Sequence, residues 1–221
     1  MRIVSLLPSA TEIVAALGFR DELAGRSHEC DYPEWVRDLP ALTRPAFEAE
    51  GGSAGIDRKV NALLAKALSL YEVDVEKLRT IDPDFIVTQS QCEVCAVSEA
   101  ELERALADWV GHRARILSLK PDALEDVWRD ILAVARALGV AERGKALVGQ
   151  CRNRIREITR RIPAASRRPK IACIEWLEPL MGAGNWMPEL AALAGGEPLF
   201  GKKGEHSPLL SWNQLKAGDP D

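Results

Sequence analysis

The stretch from Ala141 to Ile162 reads AERGKALVGQCRNRIREITRRI, and the rest of the chain is parsed around it. Apolar residues at Ala146, Leu147, Cys151, Ile155, Ile158 and Ile162 recur with a helical rhythm, and arginine and lysine fill the gaps. Pro163 closes the run, because proline cannot continue a helix and disfavours helix in the residue before it. At about 1.5 Å per residue the helix is roughly 33 Å long, about one small domain across. Gly144 and Gly149 weaken it. An ordinary amphipathic surface helix would look the same. What marks this one as a spine between two lobes is the sequence on either side.

Before it, Val75-Glu-Lys-Leu78 is followed by Asp82-Pro-Asp84 and the apolar run Phe85-Ile-Val-Thr88. After it, Ser211-Trp-Asn-Gln-Leu215 is followed by Asp219-Pro-Asp221. The two halves also open alike. Arg2-Ile-Val-Ser5 leads to a proline turn and a helix ending at Gly18. Lys170-Ile-Ala-Cys173 leads to a Pro/Gly-rich turn and a helix ending at Gly195-Gly196. The expected organisation is an α/β fold of two Rossmann-like lobes: an N-terminal lobe over 1–139, a spine helix over 140–163 and a C-terminal lobe over 164–221. Because Asp82-Pro-Asp84 runs into a strand and Asp219-Pro-Asp221 does not, the second lobe reads as truncated, with a further strand and helix expected beyond it.

A chain of 221 residues accommodates one or two domains. Its 47% apolar and 28% charged residues are ordinary globular chemistry. A net charge of -4, with no basic face interleaved with aromatics, gives no reason to expect nucleic acid. No apolar run approaches the roughly 20 residues that cross a bilayer. The seven residues before Pro8 are too few for a secretory leader, and the five cysteines are scattered. Both point to a cytosolic chain with reduced thiols, or to a periplasmic or cell-surface one if a leader precedes Met1.

Along the chain, Ile3–Leu6, Leu23–Ser27, Asp84–Gln89 and Arg115–Leu119 read as strands. Ser9-x-x-Glu12, Ser98-x-x-Glu101 and Asp122-x-x-Glu125 read as capping boxes that open helices. Ala46 to Gly55 reads as a loop and Ile56 to Leu70 as a helix, with short helices at Glu34–Arg37 and Asp74–Thr80. Strands alternating with helices argue a parallel, layered sheet, in which ligands sit beyond the carboxyl ends of strands. The loops Pro8–Thr11, His28–Asp31 and Gln89–Cys95 are therefore expected on one edge of lobe one. Glu175–Trp186 and Glu205–Trp212 are the matching loops of lobe two, and the two edges facing each other would make a cleft.

Cys92-x-x-Cys95 has the spacing of a redox pair or half a metal site, with His28 and Cys30 as the other candidate ligands. With no second such pair, two plain thiols in a cleft wall are the expected state, reduced and metal-free. Trp109 and Trp128 lie in helical phase and read as core. Trp176, Trp186 and Trp212 lie in loops, where an aromatic face suits a flat conjugated ligand or simply packs a glycine-rich turn. Gly182-Ala-Gly184 lacks the third glycine of a nucleotide loop, and His206-Ser207 has no acidic partner in sequence.

These segments together resemble the cobalamin-binding branch of the periplasmic binding protein-like family. The carriers are RIVSLLPSATE (2–12), HECDYP (28–33), TQSQCEVCAVS (88–98) and EWLEPL (175–180), extended by Gly184-Asn-Trp186 and His206-Ser207. The resemblance implies two α/β lobes on one long helix, a non-enzymatic binding protein, and a corrinoid, haem or iron–siderophore ligand. It implies no firm cofactor, and an ABC permease as partner if the protein is exported. By position it places Ser9, Cys30, Asp31, Tyr32, Gln89, Gln91 and Cys92 at the ligand in lobe one. In lobe two it places Trp176, Glu178, Asn185, Trp186 and His206 there. The rival reading is a thiol- or metal-dependent enzyme using Cys92, Cys95 and Cys30 on the same scaffold.

Overall fold

The order of elements begins with β1 (Ile3–Ser5), α1 (Pro8–Ala16), β2 (Leu23–Arg26), a 3-10 helix over Glu34–Asp38, β3 (Thr43–Pro45) and α2 (Gly52–Leu64). It continues with β4 (Tyr71–Val73), α3 (Val75–Ile81), β5 (Phe85–Gln89), α4 (Glu99–Leu106), β6 (Arg115–Leu119), α5 (Leu124–Ala137) and α6 (Ala141–Arg161). After α6 come β7 (Lys170–Ile171), β8 (Ile174–Leu177), β9 (Leu180–Gly182), α7 (Met187–Leu193), β10 (Glu197–Pro198) and α8 (Trp212–Gly218). The structure, a computed structural model, describes residues 1–48, 50–65, 70–90, 97, 99–106, 114–162 and 167–221. Two compact units divide the chain. Unit 1 is Met1–Ala49, Lys59–Lys120 and Ala133–Arg143; unit 2 is Glu50–Arg58, Pro121–Leu132 and Gly144–Asp221.

Unit 1 is built on a four-stranded parallel sheet in the order β2-β1-β5-β6. The two central strands are buried along their length, with Ser5, Thr88 and Gln89 as buried polar residues at their carboxyl ends. Their core joins Val4, Leu6 and Ile86 to Leu42, Leu78, Val97, Leu102 and Leu106. The antiparallel pair β3–β4 stands beside this sheet as a sheet of its own.

Helix ends show where local sequence was decisive. The helices α1, α5 and α7 stop at Gly18, Gly139 and Gly195, each with positive φ. In each, the residue after the glycine bonds back across the last turn, as Phe19 N–H does to Val14 O at 3.2 Å. Helix starts differ from the expectation at two places. Ser9 does not cap α1: the helix begins one residue earlier at Pro8, with Leu7 extended before it and no side-chain cap. Proline at the first position presets φ and has no N–H to satisfy, so the serine falls inside the first turn. At α5 it is Asp126, not Glu125, that reaches back, accepting from Asp122 N–H at 3.0 Å and Ala123 N–H at 2.8 Å. Glu125 instead grips Arg152 at 2.6 and 2.8 Å.

The Ala46–Gly55 stretch is not all loop, since α2 starts at Gly52. Glycine and serine are loop formers on average, but a first helical turn tolerates them because its N–H groups have no partner within the helix. The helix expected to reach Leu70 is α2, Gly52–Leu64, and Leu70 lies beyond it with its carbonyl accepting from Ala46 N–H at 2.9 Å. The capping Ser98 and the far end of the helix expected to reach Val110 lie outside the described residues, as do Trp109 and His112.

The stretch that organised the reading is one helix, α6. Its apolar side is shifted from the expected one. Val148 is buried, with Cys151 and Ile155 half-buried, whereas Ile158 is 47% exposed. Spacings of three and four place 148, 151, 155 and 158 on one side of the helix, with Val148 and Ile158 at its two flanks, and it is the Val148 flank that is covered.

In unit 2, β7 and β10 pair in parallel, and β8 and β9 form an antiparallel hairpin. None of these strands joins the first sheet. The segment expected as a loop from Glu175 to Trp186 is largely this hairpin. Trp212 is not in a loop either. It is the first residue of α8, which Ser211 and Gln214 open with a reciprocal capping box.

The echo between the two halves is structural. α3 and α8 both end on an aspartate in the left-handed conformation, Asp82 at φ 48° and Asp219 at φ 49°. Two residues on, Asp84 accepts from Arg2 N–H at 2.7 Å, and its own N–H donates to Arg2 O at 2.8 Å. Asp221 does the same to Lys170, at 2.8 and 3.0 Å. Each Asp-Pro-Asp thus ties the end of a short helix to the residue that opens its unit's first strand.

Candidate functional site

Because β1, β2 and β5 run in parallel, their carboxyl ends share one edge of the unit 1 sheet. That edge gathers Ser9 at the start of α1, the loop from His28 to Tyr32, and Gln89 at the end of β5. Ser9, Asp31 and Tyr32 are exposed, Tyr32 by 64%. Asp31 is held by Arg37, whose Nε donates to the Asp31 carbonyl at 3.2 Å and whose Nη2 lies 3.5 Å from its carboxylate. Gln89 is buried. Gln91, Cys92 and Cys95 lie outside the described residues.

His28 is fixed from below. Its N–H donates to Thr43 Oγ1 at 3.1 Å and its Nδ1 sits 2.8 Å from the same oxygen. Thr43 in turn bonds Ser27 Oγ at 3.0 Å, and Tyr71 packs against the imidazole with ring centroids 5.7 Å apart. Burial holds the His28 pKa below its ordinary value, and Arg26 adds to this against the opposing pull of Glu29. This favours the neutral imidazole over the charged one.

Cys30 lies beneath this loop rather than on it, 1% exposed. Its sulfur accepts from Thr11 Oγ1 at 3.1 Å. Burial pushes the thiol pKa up, and the Thr11 hydrogen bond opposes this only in part. A buried thiol with a raised pKa is a poor nucleophile. In the native protein at pH 7.5, Cys30 is expected to resist iodoacetamide and to alkylate only on unfolding, as read by peptide mass spectrometry. Rapid native labelling would restore it as a reactive group. Among the described residues no three His, Cys, Asp or Glu side chains converge to hold a metal ion.

In unit 2 a pair of loops is stapled together. Gly184 N–H donates to Ser207 Oγ at 3.1 Å, and that hydroxyl donates to Glu175. Asn185 N–H donates to Glu205 O at 2.7 Å, and Gly204 N–H donates to Asn185 O at 3.0 Å. His206 Nδ1 lies 3.1 Å from the Ser207 carbonyl. Asn185, Trp186 and His206 are brought together this way. Glu175 and Ser207 hold them, and the carboxylate from β8 partners Ser207 rather than His206. Asn185 sits at φ 52°, a conformation asparagine tolerates better than most residues. Trp186 directly precedes α7 as its cap residue.

The hairpin adds residues that the sequence reading missed. Trp176 pairs with Met181 across β8–β9, and Met181 bridges to Leu209 on the far side. Cross-strand partners share a face, so Trp176, Met181 and Leu209 form one apolar stripe. On the other face Leu180 is buried and a Cβ on Gly182 would lie 3.1 Å from Leu210 and 3.3 Å from Phe200, while their partners Leu177 and Ile174 on β8 are exposed. Within the stripe Leu209 is 67% exposed, and Trp176 and Met181 are half-buried. Trp176 Nε1 donates to Glu178 O at 3.0 Å, which orients the indole. Only the pairing register reveals Met181 and Leu209, because neither stands in a recognisable motif.

The α7 helix that follows Trp186 is itself pinned. Glu189 accepts from Leu124 N–H at 2.9 Å and pairs with Lys203 at 2.7 Å. Burial works to raise the Glu189 pKa, but the hydrogen bonds from Lys203 and Leu124 outweigh it and leave the pKa below the ordinary 4.5. A lowered carboxylate pKa contributes stability that is present above the ordinary value and lost as pH falls through the native one. Glu189→Gln is expected to flatten the fall in melting temperature between pH 6 and pH 3. An unchanged acid slope would show that the carboxylate contributes nothing.

The model of the family described as periplasmic binding protein matches residues 3–221. The chain belongs to the periplasmic binding protein family. The vitamin B12-binding protein of Vibrio cholerae serotype O1 is 25% identical over 222 residues, spanning 99% of this chain and 68% of the relative. Among solved structures, the periplasmic vitamin B12 binding protein BtuF of Vibrio cholerae aligns with a TM-score of 0.65 at 22% identity, covering 99% of this chain and 73% of that one. A periplasmic heme binding protein from Pseudomonas aeruginosa aligns at 0.68 and 21% identity, covering 99% and 69%. A possible iron-binding periplasmic protein from Staphylococcus epidermidis aligns at 0.70 and 17%, covering 99% and 74%. Periplasmic binding proteins carry ligands and are not catalysts, so the thiol-enzyme reading finds no support in the family. Nor does the cytosolic placement, since scattered cysteines fit either compartment and these structural relatives are described as periplasmic. Among the described residues no helix of this binding protein is long and apolar enough to cross a membrane.

Proposed function

We propose that this periplasmic binding protein carries a corrinoid or closely related metal chelate, and that it hands this ligand to an ABC permease. The observation that carries the reading is the apolar stripe of Trp176, Met181 and Leu209, open to solvent at Leu209, beside the stapled Asn185–Trp186 and His206 loops. A flat macrocycle offers an apolar face and a polar rim. The stripe supplies dispersion contact and apolar burial for the face, and Met181 adapts to an irregular outline. Asn185 both donates and accepts, as an amide rim requires. Ser9, Asp31, Tyr32, Gln89, Gln91 and Cys92 are proposed as ligand contacts on the resemblance alone. Glu178 presents the carbonyl that orients Trp176. Cys30 shapes the loop from beneath. The relatives named for vitamin B12, heme and iron support a metal chelate as the ligand class, and a periplasmic setting with it.

The test is a titration of the purified protein with cyanocobalamin, haemin and a ferric siderophore, followed by tryptophan emission and melting temperature. A ligand that prefers the folded state stabilises it by mass action. Quenching and stabilisation should therefore appear together for one of the three. If none does either at high micromolar concentration, the chelate reading is wrong.

A further inference from the structure

A groove of about 450 Å³ runs between α5 and α6 in unit 2, and nothing in the chelate reading uses it. Its floor is Leu124, Trp128 and Ile155, and its rim is Arg152, Asn153 and Arg156. Between them lies Gly149, well inside α6. A glycine within a helix weakens it relative to alanine. This one has no left-handed backbone, and a Cβ built on it would meet nothing within 4 Å. Neither conformation nor crowding requires glycine there. What the missing side chain preserves is the depth of the groove.

The rim has a charge pattern. Arg152, Arg156 and Arg160 follow one another at four-residue spacing, which places them on one face of α6 about 6 Å apart. Arg152 is matched by Glu125 and Arg156 donates to the neutral Asn153 side chain, and both Arg156 and Arg160 are exposed farther along the same face. Guanidinium groups recognise phosphate bidentately, and an indole suits the boundary between an apolar chain and a polar head.

We propose that the α5–α6 groove binds an anionic phospholipid at a membrane surface, with acyl chain over Gly149 against Trp128 and Ile155 and phosphate at Arg156. An apolar floor beside a row of arginines fits a molecule with a phosphate at one end and hydrocarbon behind it. Inorganic phosphate would leave the floor unused. The site stands apart from the chelate reading and does not depend on it.

The experiment is co-sedimentation of the purified protein with vesicles of phosphatidylcholine alone, or of phosphatidylcholine with phosphatidylglycerol, at low and high salt. Binding is expected to the phosphatidylglycerol vesicles only and to weaken with salt. Arg156→Glu should reduce it about tenfold or more, the scale of reversing one charge at an anionic surface. Gly149→Leu should reduce it comparably by filling the groove, while raising the melting temperature because leucine is the better helix former. Arg161→Glu makes the same charge change on the opposite side of α6 and should leave binding within about twofold. Millimolar inorganic phosphate should not displace the vesicles. The proposal is overturned by absence of binding at low salt, by Gly149→Leu binding like the parent, by Arg161→Glu losing as much as Arg156→Glu, or by displacement with phosphate alone.

Discussion

Gly184→Ala is expected to lower stability by about 3 kcal/mol, the upper part of the range for forcing an extra methyl into a packed site. The added Cβ would lie 2.4 Å from Glu205 O, 2.7 Å from Ser207 N and 2.8 Å from the His206 carbonyl carbon. All three are backbone atoms, so no side chain can turn aside. The 204–207 strip must move, and the bonds from Gly184 to Ser207 and from Asn185 to Glu205 move with it. For a chain of this size that is about 6–12 °C in melting temperature. Gly149→Ala is the matched control. The same methyl meets nothing there, so it should stabilise α6 by about 0.5–1 kcal/mol. Two glycine-to-alanine changes in one unit thus carry opposite signs. If Gly184→Ala melts with the parent, the two loops are not locked as described.

The second large effect is on binding. Trp176→Ala and Leu209→Ala are each expected to weaken the chelate by about 1.5–3 kcal/mol, the value of burying one large apolar side chain, or about 10–150-fold. Leu209→Ala should leave the melting temperature of the free protein nearly unchanged, because Leu209 is already 67% exposed without ligand. Trp128→Ala should behave in the opposite way. Trp128 is only 8% exposed, and its removal is expected to cost about 3–5 kcal/mol of stability while leaving chelate affinity alone. Titration calorimetry of the four proteins with the ligand found by screening separates the outcomes. A Leu209→Ala variant that binds like the parent would remove the stripe from the site, while Trp186 and the stapled loops could still be judged on their own substitutions.

The helix over Ala141–Arg161, the strands β1 and β5, and the three terminal glycines are local signals, and each formed where the sequence placed it. A helix face, a buried strand and a left-handed stop are set by the residues that occupy them and need no distant partner. The Asp-Pro-Asp echo was also legible, because each copy combines a left-handed cap, a proline and an aspartate within a few residues. Other features were decided only by packing. Proline at the head of α1 displaced the expected serine cap, and which of two neighbouring acids closed α5 depended on Arg152 drawing Glu125 away. The apolar stripe of α6 shifted by part of a turn because period alone does not say which flank faces the core. The stripe of Trp176, Met181 and Leu209 could not be read from the sequence, since its members lie on two strands and an isolated bridge and meet only through their pairing. The same holds for the staple at Ser207: its carboxylate partner, Glu175, stands 32 residues away. Local sequence fixes dihedral angles and periodicity over a few residues, whereas pairing register and side-chain partners depend on chain segments that only tertiary folding brings together.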